Sequence, residues 1–219
     1  VGPPPNPSAP RPRTMHSLTR LSLALIVAAA TAACRPAGAP RPADEPAIVT
    51  RAQWGARAPT LPMQPHQPVR ITVHHTAGAQ DTARSLADKL RALQRFSQEE
   101  GTLGDGRIKK AWADIPYHFY IAHDGAVGEG REVGYVGDSN TQYDLRGHVQ
   151  VVLEGNFENE SVTDAQYQSL RRLVAHLARR YRVRPELITG HKDNAPTLCP
   201  GQDLYRRLPE LRRAGAAGG

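Results

Sequence analysis

The sequence predicts one α/β domain over residues 47–213, a single central mixed β-sheet flanked by helices. Three observations carry this. Residues 69–75, Val-Arg-Ile-Thr-Val-His-His, alternate with the period of a strand. Residues 149–153, Val-Gln-Val-Val-Leu, form an apolar run of strand length broken only by Gln150, the pattern of a buried strand. Helix-period segments lie between and after these runs, and strands interleaved with helices pack as one sheet under helical layers.

Taken in order, residues 48–57 lead into the domain, with Trp54-Gly55 reading as a terminal segment packed on the core. Residues 59–68 are a loop rich in proline. After the strand at 69–75, residues 81–98 read as a helix whose apolar face carries Leu86, Leu90, Leu93 and Phe96. Gly101, Gly104 and Gly106 make residues 99–110 a loop. Residues 112–121 lead into a second strand, His123-Asp124-Gly125-Ala126 is a hairpin turn, and residues 127–131 return. Residues 135–147 are irregular and polar, suited to lining a cleft. Thr163-Asp164-Ala165-Gln166 is a capping box that opens a helix running to Tyr181. Tyr167, Leu170, Val174, Leu177 and Tyr181 are its buried stripe. Pro185-Glu186-Leu187 starts a short turn of helix, and residues 203–213 form a last amphipathic helix before a tail at 214–219.

The front of the chain has another character. Residues 1–14 are rich in proline and lack an apolar period, so they are expected to be disordered or untranslated. Residues 15–33 read as a secretory signal: Met15, then His16 and Arg20, an apolar run at 21–30, and Thr31-Ala32-Ala33 as the cleavage site. The apolar run is too short to span a bilayer, which takes about 20 residues. Thr31-Ala32-Ala33-Cys34 resembles a bacterial lipoprotein box, which makes Cys34 the acylated residue and the membrane a partner through that anchor. Thr31 is an unusual first residue for such a box, and plain signal cleavage beside an incidental cysteine is the competing reading. Arg35 rather than Asp after the cysteine implies the outer membrane, with the protein facing the periplasm. Residues 34–46 are then a Pro/Ala linker.

Three bases and no acid precede Cys34, so the formal +7 of the whole chain becomes +4 without them. A modest positive balance suits an anionic polymer, and it also serves plain solubility. No repeated Lys/Arg helix face, nucleic-acid motif or aromatic stacking strip is present, so nucleic acid is not an expected partner. A monomer is expected.

His191 and Cys199 stand eight positions apart in a segment stiffened by Pro196 and Pro200, and His74-His75 end the strand far upstream. Alternation puts His74 and His75 on opposite faces, so at most one points into a given site. Two or three imidazole nitrogens and a thiolate suit zinc, and three protein ligands leave a fourth position open, the layout of a catalytic site. The chain's two cysteines permit a Cys34–Cys199 disulfide, or one anchor and one metal ligand. The second is preferred, since Cys34 lies in a tail and Cys199 in a ligand-spaced segment. A general zinc peptidase lacks support because no H-E-x-x-H helix is present.

Six motifs, in register, resemble the type 2 N-acetylmuramoyl-L-alanine amidases, the superfamily that includes the peptidoglycan recognition proteins and the phage-type amidase lysozymes. They are Arg51-x-x-Trp54-Gly55-Ala56-Arg57, Val73-His74-His75-Thr76, Asp114-Ile115-Pro116-Tyr117-His118-Phe119, the Asp124-Gly125 hairpin ending in Gly130-Arg131, Gly155-Asn156-Phe157, and Gly190-His191 through Cys199-Pro200. The resemblance implies His74, His191 and Cys199 as zinc ligands, with His75 structural. It implies Tyr117 beside the metal water and Thr197 in support of the scissile carbonyl. Peptidoglycan is the implied partner, and the implied reaction hydrolyses the amide between the muramic acid lactyl group and L-alanine. The family's non-catalytic members, which bind peptidoglycan without cleaving it, commonly replace the thiol ligand, often by Ser; Cys199 and Tyr117 therefore favour the enzyme over a binding lipoprotein. Three departures bear on substrate detail rather than on the ligands. Asp138 falls where recognition proteins usually carry His, Leu145 and Gln150 fall near their usual Asn and Gly, and residues 99–110 look like an insertion beside the cleft.

Overall fold

The computed structural model describes residue 2, residues 45–104 and residues 106–217. The signal sequence, Cys34 and most of the linker lie outside the described residues. The elements are β1 (Ile48–Val49), α1 (Arg51–Trp54), β2 (Arg70–His75), α2 (Leu86–Gln98), β3 (Gly101–Thr102), β4 (Ile108–Lys109) and β5 (Phe119–Ile121). They continue with β6 (Val127–Glu129), β7 (His148–Leu153), α3 (Asp164–Tyr181), β8 (Ile188–Gly190), α4 (Gln202–Tyr205) and α5 (Leu208–Ala216).

Six strands form a mixed sheet in the order β1-β6-β5-β7-β2-β8. Only the β5–β6 hairpin is antiparallel; β2 runs parallel to β7 along its whole length, and β8 runs parallel to β2 on the other side. Alternation along each strand sorts the core into two layers. Ile71 and Val73 of β2, with Val149, Val151 and Leu153 of β7, meet the α3 and α5 side chains Leu170, Leu177 and Leu211. On the opposite face Tyr120 and Val152 meet Trp54 of α1 and Leu90 of α2. Thr72 and His74 point to this second side, where Thr72 Oγ1 lies 2.7 Å from His148 Nδ1.

The hairpin turn takes the Asp-Gly form its sequence dictates. Gly125 sits at φ +83°, and a Cβ there would stand 2.6 Å from the Ala165 carbonyl oxygen, so only glycine fits. The α3 capping box forms through Thr163 and Gln166. Trp54 is fully buried, its Nε1 donating to the Glu129 carbonyl at 2.7 Å. Arg51 of the same segment pairs with buried Asp114 at 2.7 Å, which ties together two of the motifs noted above.

Four details differ from expectation, each for a local reason. α2 starts at Leu86, not at 81, because Asp81 Oδ1 takes the Ala83 and Arg84 amides in a side-chain turn and Ser85 then caps the helix. Phe96 is 47% exposed rather than core, covered in part by Lys109 stacked on its ring. The 99–110 segment is not wholly loop: β3 and β4 pair, and buried Lys109 satisfies its ammonium on the Ser97, Glu99 and Lys110 carbonyls. The last helix is two, because Pro209 in the first turn of α5 restarts the helix, which then runs to Ala216. Among the described residues no helix is long and apolar enough to cross a membrane.

Candidate metal centre

The site lies at the ends of β2 and β8. Register pairs Val73 with Gly190, so His191, the next residue, emerges beside His74. The segment after it is folded back on itself: the Lys192 amide donates to the Cys199 carbonyl at 2.8 Å, and the Gly190 amide to Asp193 Oδ2 at 2.9 Å. Asp193 is held in turn by the Tyr205 hydroxyl at 2.6 Å. This closed loop carries the Cys199 thiol back to the two imidazoles.

His74, His191 and Cys199 bring their donor atoms within 4.8 Å of one another. All three are buried, at 1%, 7% and 9% exposure. His74 Nδ1 stands 3.7 Å from Cys199 Sγ, and the two imidazole centroids are 4.6 Å apart. Two donors of a tetrahedral zinc, at its usual Zn–N and Zn–S lengths, are separated by about 3.5 Å, so the spacing fits. The donors' protonation fits as well. Burial, then the neighbouring His191, holds His74 well below the usual imidazole range, and burial holds His191 down to about 4. Burial pushes the Cys199 thiol up to about 12. Two neutral imidazoles are ready ligands, and a bound cation supplies the charge that a buried thiolate otherwise lacks. The His75 amide donates to Cys199 Sγ at 3.4 Å, while the His75 ring points to the other face and accepts from the Phe157 amide at 3.3 Å.

Tyr117 lies beside the cluster, its ring centroid 5.2 Å from that of His74. Burial raises its phenol above the ordinary range, so the hydroxyl stays protonated. Thr197 is half-buried, and its Oγ1 accepts from the Cys199 amide at 3.2 Å. These five residues line one pocket of about 470 Å³. Trp112 and Asp138 on its rim also line a neighbouring cavity of about 520 Å³ that continues to Arg146, so the cleft is longer than the centre. Asp138 is held by buried Arg131, and the 99–110 segment brings Arg107 to the pocket wall.

One contact escaped the sequence reading. Thr141 Oγ1 lies 2.6 Å from His191 Nε2, and Ser139 Oγ lies 2.8 Å from Thr141 Oγ1. The polar 135–147 segment is legible as cleft lining, but nothing in its pattern says which hydroxyl meets the imidazole.

A mixed sheet that gathers two imidazoles and a thiol in an open cleft defines an α/β domain with a candidate metal centre. Residues 64–202 match the family model for N-acetylmuramoyl-L-alanine amidases, Amidase_2, and the chain belongs to that family. Peptidoglycan recognition protein 1 of Bos indicus is 30% identical over 172 residues, covering 76% of this chain and 86% of that protein. The structure of the N-acetylmuramoyl-L-alanine amidase LysC from Clostridium intestinale superposes with a TM-score of 0.59 at 27% identity, covering 75% of this chain and 96% of that one. Peptidoglycan recognition protein-LE, solved in complex with tracheal cytotoxin, a monomeric diaminopimelic acid-type peptidoglycan, superposes with a TM-score of 0.62 at 28% identity, over 75% and 93% of the two chains.

Proposed function

We propose that this chain is a zinc-dependent N-acetylmuramoyl-L-alanine amidase that hydrolyses the amide joining the muramic acid lactyl group to L-alanine in peptidoglycan. The convergence of His74, His191 and the Cys199 thiol in an open cleft carries the reading. The family includes binding proteins as well as enzymes, and a binding surface has no need of a buried thiol aimed at two imidazoles. Zinc, when bound there, supplies a Lewis acid and lowers the pKa of its water to about 7.

The chain's own residues do the rest. His74, His191 and Cys199 hold the ion, and Thr141 orients the His191 ring. Tyr117 and Thr197 supply hydroxyl donors for the oxygen of the scissile carbonyl as charge develops on it. The proton that the attacking water loses ends on the departing L-alanine amine, with Tyr117, protonated through burial, either relaying it or orienting the water. The cleft past Trp112 and Asp138 gives room for more of the polymer than the single bond cut.

The chain acts as a monomer held in the cell envelope by an acyl anchor on Cys34, on the periplasmic side of the outer membrane. Fatty-acid labelling of the parent and of Cys34→Ala tests this part; an unlabelled parent removes the anchor.

The deciding experiment is release of stem peptides from purified peptidoglycan, with metal content read on the same sample. About one zinc per chain with free stem peptides supports the enzyme. Zinc without release turns the reading to a binding lipoprotein of the same fold. Absence of both, even after metal is added, overturns the site.

A further inference from the structure

We infer that the outward face of α3, together with the end of α5, is a docking surface for an anionic phospholipid membrane, and that docking there turns the cleft toward the cell wall. Gln168, Arg171, Arg172, Ala175 and Arg179 fall at helical spacings that place them on one stripe of α3. With Ala214 and Ala217 they line a shallow groove of about 350 Å³ to which no acidic side chain contributes. Arg171 and Arg172 are exposed, and Arg179 is half-exposed. Of the nearby acids, Asp203 pairs with Arg206 and Arg207, Glu186 with Arg184, and Glu210 accepts from the Tyr167 hydroxyl, while exposed Asp164 stands at the start of the same stripe, one turn before Gln168. Three guanidinium groups around small alanines admit phosphate oxygens without a steric barrier.

Two further observations select a membrane over other polyanions. The first is where the chain enters the domain. Ile48 shares a cavity with His176, Arg180 and Tyr181 of α3, and Glu45 acts electrostatically on His176. Residues 45–48 therefore enter the domain beside the helix whose outer stripe is basic. Residues 34–45 span at most about 40 Å when extended, so an acyl chain on Cys34 would hold the domain within about that distance of a bilayer.

The second is the division of the sheet. α3 and α5 pack on the face that Ile71 and Val73 share, whereas His74 points to the opposite face with Tyr117. A bilayer under α3 thus leaves the cleft open on the far side, where the polymer lies. The reading rests on the anchor at Cys34 for its choice of membrane, and not on the amidase assignment.

The test uses the full chain carrying Cys34→Ala, so that no acyl group contributes. Sedimentation with vesicles of three parts phosphatidylethanolamine to one part phosphatidylglycerol should show binding that weakens as salt is raised. Vesicles of phosphatidylcholine alone should not bind. Replacing Arg171, Arg172 and Arg179 by Gln should weaken binding about a hundredfold. Arg84→Gln with Arg95→Gln, on the opposite layer, should leave it unchanged. Circular dichroism of each sample reports on fold, and hydrolysis of a soluble muropeptide reports separately on the catalytic reading. No binding to anionic vesicles at low salt, or equal binding by the triple variant, overturns the proposal. So does a triple variant that loses affinity for peptidoglycan sacculi but not for vesicles, which reassigns the face to the wall polymer.

Discussion

Thr141 Oγ1 sits 2.6 Å from His191 Nε2, which leaves Nδ1 as the nitrogen available to a metal. With Nδ1 given to a metal, Nε2 carries the ring proton and donates to Thr141 Oγ1, which sets the tilt of the ring, the role that outer partners of metal-bound imidazoles commonly play. Thr141→Val keeps the shape and removes the oxygen. Zinc affinity, measured by competition with a chromogenic chelator, is expected to fall about 10- to 100-fold with the melting temperature of the metal-free chain unchanged. Undiminished affinity would show that the ring is held by packing alone.

Cys199→Ser replaces a soft donor by a poor one at the same position. The variant is expected to lose tight zinc binding and amidase release while keeping its circular dichroism spectrum, since Cys199 belongs to neither apolar cluster. Chelation of the parent should reproduce this phenotype, and zinc should restore the parent but not the variant. Full activity in Cys199→Ser removes the ligand assignment.

Tyr117→Phe separates metal retention from chemistry. The Tyr117 ring lies beside that of His74, and Tyr117 is outside the donor cluster, so the variant should keep its zinc. Because the proposed hydrogen bond strengthens only as the carbonyl oxygen gains charge, kcat should fall about 10²-fold with KM little changed. A loss confined to KM would place Tyr117 in ground-state binding instead.

The convergence of His74, His191 and Cys199 was legible because metal chemistry restricts residue type, and because β2 announces its own faces: Ile71 and Val73 go to one layer, His74 to the other. The Asp124-Gly125 turn and the Thr163–Gln166 box were legible because each is a local rule satisfied within four residues. What escaped were contacts set by three-dimensional register. Thr141 meets His191 only because the 135–147 segment returns past the ends of β2 and β8. Lys109 becomes a buried strand residue only because three carbonyls and the Phe96 and Trp112 rings close around it. The α3 arginines flank the buried stripe, and they read as a site only once Ala214 and Ala217 stand beside them.

The cleft's support is also pH-sensitive, through a residue the mechanism does not use. His118 is buried beneath the 135–147 segment; its Nδ1 accepts from the Gln150 amide at 2.8 Å, and its Nε2 donates to the Tyr135 carbonyl at 2.9 Å. Burial lowers its pKa from 6.5 to about 3. The folded chain therefore keeps the ring neutral where the unfolded chain takes up a proton. Stability from this group is complete above 6.5 and is lost as pH falls toward 3, by about 1.4 kcal/mol per pH unit. Urea midpoints on the metal-free chain should fall between about pH 7 and about pH 5, and His118→Gln should fall less steeply, by about one proton in the linkage slope. Metal-free chain is the right sample, because a bound ion would add its own pH linkage to the scan. Equal slopes in parent and variant would move the acid sensitivity to other buried imidazoles, of which His148, held down to about 4 by burial beside Arg70, is the next to replace.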